Sequence, residues 1–97
     1  MNQEYKALER DTNGKPFFSK VTGQRIAFTD YEKFHFFVYK KSNRHWIVAE
    51  KSSGQKLTSG ETKKRTIEEV KRQLGIATPA KFQKEIDKQL KQNKETL

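Results

Sequence analysis

The side chains here whose types and spacing could do chemistry are aromatics set beside cations. Phe34-His35-Phe36-Phe37-Val38-Tyr39-Lys40 is built almost wholly of strand formers, Lys41-Ser42-Asn43-Arg44 turns, and His45-Trp46-Ile47-Val48-Ala49-Glu50-Lys51 returns. Successive strand side chains alternate between faces. With Lys40 opposite His45, as a two- or four-residue loop would place it, one face holds His35, Phe37, Tyr39, Trp46, Val48 and Glu50, with Lys41 and Arg44 at the tip. Rings on an open sheet can stack on unpaired bases, at about 1–3 kcal/mol per base. Lys40, Lys41 and Arg44 can meet phosphates, and an arginine can lie on a ring face. The same surface would serve a protein partner, because Trp, Tyr and Arg dominate interface energetics.

A second constellation is Gly60-Glu61-Thr62-Lys63-Lys64-Arg65. Three cations in the first turn of a helix oppose its macrodipole and cost up to a few tenths of a kcal/mol each. A phosphate bound at Lys63, Lys64 and Arg65 would relieve that cost, since helix N-termini present free N–H groups to anions. The alternative is three long side chains pointing into water.

Other chemistries lack their parts. There is no cysteine, hence no thiolate metal site, disulfide or thiol nucleophile. The two histidines, His35 and His45, fall on opposite faces in the assumed register and form neither a ligand pair nor a base with its orienter. No glycine-rich loop has phosphate-binding or dinucleotide spacing. Glu68 and Glu69 are adjacent on a helix and diverge. An enzyme, a metal and a cofactor are therefore not expected.

The elements that must position these residues follow from patterning. The 97 residues suit a single domain able to fold without a staple. Residues 1–14 read as a polar lead-in ending in the turn Asp11-Thr12-Asn13-Gly14. Residues 15–60 read as a sheet: a hairpin of Pro16–Val21 and Gln24–Phe28 around Thr22-Gly23, one helical turn at Tyr31-Glu32-Lys33 capped by Thr29-Asp30, the central hairpin, and a weaker strand Gln55–Ser59. A first helix spans 62–75, with Thr62 as its N-cap although Thr66-Ile67-Glu68-Glu69 also fits a capping box, Ile67, Val70 and Leu74 at helical spacing and Gly75 as its stop. A second spans 78–93, started by Thr78 and Pro79, with the narrow stripe Phe82, Ile86 and Leu90; the tail Asn93–Leu97 frays. Strands followed by helices predict an α+β fold: an antiparallel sheet of about five short strands with two C-terminal helices on one face.

In that fold Phe34, Phe36, Val38, Ile47 and Ala49 pack on the helices. The opposite, aromatic face is either open or covered by the N-terminal hairpin with Phe17, Phe18, Ile26 and Phe28, which would make it a second core.

A strand meander followed by Gly-x-Thr-Lys-Lys-x-x-Ile and an amphipathic helix, over residues 34–74, resembles the C-terminal half of a double-stranded-RNA-binding domain. The resemblance implies that Lys63, Lys64 and Arg65 sit over phosphates across a groove. The family's first helix has no counterpart here, and Ile67, Val70 and Leu74 replace the small alanines of its second. The pattern is also similar to integrase arm-binding domains and HicB-like antitoxins, and the chain as a whole to lysine-rich accessory proteins of phages and plasmids.

Net charge is +9, and the excess is spread along the chain rather than gathered in a tail. Such a balance favours anionic partners. The reading is a non-enzymatic nucleic-acid-binding accessory protein of a mobile element, with DNA or RNA as partner. The alternative is a protein inhibitor or adaptor acting on a host protein or protein–nucleic-acid complex, of anti-CRISPR or anti-restriction type, or an antitoxin-like component. No run has the length of a membrane span and Met1–Lys6 opens no secretory signal, so a cytoplasmic location without membrane contact is expected.

Overall fold

Alternating and β-branched segments come first along the chain and helical spacing comes last, and the computed structural model, which describes residues 2–96, follows that order. Five strands, β1 (Asn2–Arg10), β2 (Pro16–Ile26), β3 (Phe36–Ser42), β4 (His45–Glu50) and β5 (Lys56–Gly60), precede helices α1 (Lys63–Ile76) and α2 (Pro79–Thr96). The strands pair antiparallel in chain order, as one meander. The α+β class, the strand number and the two C-terminal helices are as the sequence predicts. Among the described residues no helix is long and apolar enough to cross a membrane.

The N-terminal third departs from expectation. Residues 2–10 are a strand, paired with β2 from Asn2↔Gln24 to Arg10↔Pro16. Thr22-Gly23 makes no turn; it lies within β2. The hairpin reverses instead at Asp11–Lys15. There the Asp11 carboxylate accepts from the Asn13 and Lys15 amides at 2.8 and 2.9 Å, which organises the loop locally. Gly23 serves close approach: a Cβ there would lie 2.9 Å from the Val38 carbonyl oxygen. The helical turn after Thr29-Asp30 is replaced by two successive β-turns, closed by Tyr31 N–H to Phe28 O and Phe34 N–H to Tyr31 O, both 3.0 Å.

The sheet coils. β2 pairs with β3 only from Gly23 to Ile26, and the rest of the β1–β2 ribbon swings across one face of the central hairpin. Tyr5, Ala7 and Val21 thereby pack on Phe37, Tyr39, Ile47 and Ala49. The Tyr5 and Phe37 rings stack with centroids 4.1 Å apart. The seam closes where Leu8 N–H donates to the Gly54 carbonyl at 2.9 Å. Gly54 has φ +73°, and a Cβ would meet Leu8 N at 2.9 Å, so this position needs glycine twice over. The result is a half-closed barrel with a small concave core.

The convex face carries the helices. Phe28, Tyr31, Phe34, Phe36, Val38 and Val48 pack with Val70 and Leu74 of α1, and Phe82 of α2 joins them edge-on. The Tyr31 hydroxyl donates to the Leu74 carbonyl at 2.8 Å and ties the β2–β3 loop to α1. Between β4 and β5 the buried Glu50 carboxylate accepts from the Ser52 and Ser53 amides and hydroxyls at 2.7–3.0 Å. A buried charge is tolerable when so many donors converge on it. Asn93 Nδ2 donates to Ser53 O at 2.9 Å and anchors α2 to that loop. The helix continues through Thr96, so fraying from Asn93 is not seen; Met1 and Leu97 lie outside the described residues. Gly75 is likewise inside α1, which stops at Ala77: its N–H still donates to Gln73 O, but its backbone turns extended (ψ 175°).

Candidate nucleic-acid interface

Cross-strand register decides which aromatics remain available. Ser42 pairs with His45 around the loop Asn43-Arg44, and Arg44 takes the left-handed conformation (φ 57°). The register then shifts between Lys40 and Ser42, so that Lys40 faces Trp46 rather than His45. One extra residue on β3 reverses the parity of β4. Ile47 and Ala49 therefore join Phe37 and Tyr39 on the concave side. Trp46, Val48 and Glu50 join Phe36 and Val38 on the convex side.

This corrects the open aromatic face. Phe37 and Tyr39 are 0% and 3% exposed and cannot reach a base. Their cover comes from Tyr5, Ala7 and Val21, not from Phe17, Phe18, Ile26 and Phe28. Burial, followed by the nearby Glu9 charge, pushes the Tyr39 phenol up to about 12. His35 is half-buried beside Tyr5, whose hydroxyl is 2.9 Å from Nε2. Its pKa lies below the ordinary histidine value, mainly through burial, then through the Arg25 and Lys51 charges, with Glu50 opposing. Both features make His35 part of the packing around the concave core. Lys41 is half-exposed and paired with Glu9 at 3.0 Å. Arg44 is exposed at the hairpin tip.

The structure does bring Lys40, Trp46 and Lys63 together. The Lys40 ammonium lies 6.0 Å from the Trp46 ring centroid. Trp46 pairs across the sheet with Gly60, two residues before the Thr62 cap, which places the ring beside the start of α1. Lys63 donates from Nζ to Gln24 Oε1. These residues line one depression with Asn2, Thr22 and Tyr39. Thr62 Oγ1 accepts from Arg65 N at 3.2 Å, and Lys64 and Arg65 stand exposed beside it. No acidic residue occupies the first turn of α1. Among the described residues ion pairs engage Lys41 with Glu9 and Arg72 with Glu69, so Lys40, Lys63, Lys64 and Arg65 have no carboxylate within 4.0 Å.

Chemically, this corner can hold an anion. Four cations surround a helix start whose first amides are already polarised toward negative charge. The indole gives it one flat wall. Among the described residues no group of three or more His, Asp or Glu could hold a metal ion.

Sequence patterning does not single out Gln24, which orients Lys63, or two exposed rings, Phe17 and Phe18, each 41% accessible. A signal for the rings is present: adjacent residues of a strand point to opposite faces, so Phe17 and Phe18 could not both enter one core. In comparisons with protein-family models, curated proteins and solved structures, nothing matched this chain.

Proposed function

We propose that this chain is a small non-enzymatic nucleic-acid-binding accessory protein that grips the phosphate backbone at the corner of Lys40, Trp46, Lys63, Lys64 and Arg65. The observation that carries the reading is that Lys40 and Lys63 meet at Trp46, with Lys64 and Arg65 following in the first turn of α1, and that among the described residues none of the four has a carboxylate within 4.0 Å. Like charges gather at an energetic cost, and a phosphate offsets it by releasing counterions from the nucleic acid. The +9 net charge supports the same partner class by drawing a polyanion in at long range.

The test is binding of labelled duplex and labelled single strand as salt is raised. Affinity should fall steeply with salt. Replacing Lys40, Lys63 and Lys64 by Gln should flatten the duplex slope by about 0.9 for each phosphate no longer neutralised. The melting temperature should stay put, because Lys40 and Lys64 are exposed and Lys63 is only partly covered. Absence of any shift at low salt, or a triple variant that binds like the parent, overturns the reading. A host protein retained after nuclease treatment of a pull-down would favour the inhibitor or adaptor role instead.

A further inference from the structure

The outward face of the β1–β2 ribbon repeats the combination of ring and cation in a different place. Leu8 directs its N–H away from β2, to Gly54. Leu8↔Phe18 and, two residues on, Lys6↔Lys20 are therefore pairs without mutual hydrogen bonds, the closer kind, with Cα atoms about 4.5 Å apart. Two lysines directly opposite each other repel. Lys51, from the β4–β5 loop, lines the same shallow pocket of about 280 Å³ as Lys6 and Lys20, against one acid, Glu4. Among the described residues none of the three lysines has a carboxylate within 4.0 Å. Next along the same face lies Phe18, 41% exposed, with Leu8 beside it and Arg10 beyond.

We propose that this face is a second nucleic-acid surface, specific for unpaired bases: Phe18 stacks on a base while Lys6, Lys20 and Lys51 hold the adjoining phosphate. A phosphate removes the repulsion that the Lys6–Lys20 pair otherwise carries. Stacking needs a base whose face is free, which selects single strands over duplex. An anionic membrane fits less well. Phe18 lies against the β4–β5 loop, its Cε1 at 3.0 Å from the position of a Gly54 Cβ, and does not project. Phe17, the neighbouring ring, points to the opposite face of the ribbon, so the two cannot enter one bilayer surface together. The surface does not involve the corner at Lys63.

The experiment compares the affinities of the parent, Phe18→Leu, Phe18→Tyr and a Lys6→Gln/Lys20→Gln double variant for four probes: an oligothymidylate strand, an abasic strand of equal length, a duplex, and phosphatidylserine–phosphatidylcholine vesicles. Melting curves confirm that each variant is folded. Phe18→Leu keeps apolar bulk but loses stacking. It should weaken oligothymidylate binding about tenfold to a hundredfold and leave the abasic strand and the duplex unchanged. Phe18→Tyr should bind like the parent. The double variant should flatten the single-strand salt slope by about 0.7 for each phosphate it no longer neutralises. The proposal is overturned if Phe18→Leu binds oligothymidylate like the parent, if it loses the abasic strand equally, or if only vesicle binding responds. If the Lys40, Lys63 and Lys64 variants lose duplex while Phe18→Leu changes nothing, the corner stands and this surface falls. The reverse result removes the corner and keeps the surface.

Discussion

Phe37 and Trp46 belong to one aromatic hairpin and end in opposite circumstances. Phe37 is sealed in the concave core, stacked on Tyr5. Trp46 stands half-exposed at a corner of cations. Their residue types do not separate them. A one-residue bulge near Lys41 does, by carrying Trp46 to the convex side and exchanging the destinies of every β4 side chain. The ring of Phe37 is thus given wholly to packing, whereas Trp46 packs one side on the helix-side core and keeps part of its surface beside cations. A run of aromatics in a small basic protein reveals its role only once its register and its cover are known.

The hardest test of that contrast is Phe37→Ala. If the concave core is closed, removing a fully buried ring should cost about 3–5 kcal/mol, read from chemical denaturation. Lys40→Gln and Lys63→Gln should each stay within about 0.5 kcal/mol of the parent. A Phe37→Ala variant as stable as the lysine variants would mean that the ribbon does not seal the face, and the contrast would dissolve.

Gly54→Ala probes the seal itself. The change places a side chain at positive φ and 2.9 Å from Leu8 N, where β1 meets the β4–β5 loop. Strain of this kind costs about 1–3 kcal/mol. It should also speed amide exchange at Leu8, whose N–H bond to Gly54 O closes the seam. Duplex binding at the corner should persist, because that site lies at the other end of β4. Loss of duplex binding in a folded Gly54→Ala protein would show that the two regions are coupled.

The legible and illegible parts of the chain divide along the same line. The start of α2 can be read, because Thr78-Pro79 acts through local geometry; for α1 the sequence offers Thr62 and Thr66, and the structure takes Thr62, which accepts from Arg65 N. The apolar β3 set Phe36 and Val38 can be read from alternation alone. The β4 faces cannot, since a bulge is one residue and leaves no compositional trace. β1 is also hidden: between Asn2 and Arg10 the apolar residues are Tyr5, Ala7 and Leu8, and the adjacent Ala7 and Leu8 break a period of two. Its order comes from pairing with β2 and from the core it covers, which is tertiary context overriding weak local preference. At the corner, Lys63 and Lys64 can be named from the helix start. That Lys40 and Trp46 face each other across the sheet follows only from the bulge.

The smallest effect sharpens the contrast at the edge of the concave core. His35 sits between Tyr5, which it contacts through Nε2, and the charges of Arg25, Lys51 and Glu50. Burial and the two cations hold its folded pKa below the ordinary value of about 6.5. In the unfolded chain the ring takes up its proton at the ordinary value. Across the interval between the two, the unfolded state binds more protons, so stability must rise with pH. The contribution of neutral His35 is complete above about pH 6.5 and is lost as the pH falls from there through the folded pKa. Denaturation midpoints of the parent should decline over that window, and those of His35→Gln should not. A parent curve as flat as the variant's would mean that His35 is as well hydrated in the fold as outside it. That would place it on an open edge of the ribbon and leave Tyr5 alone to close this end of the concave core.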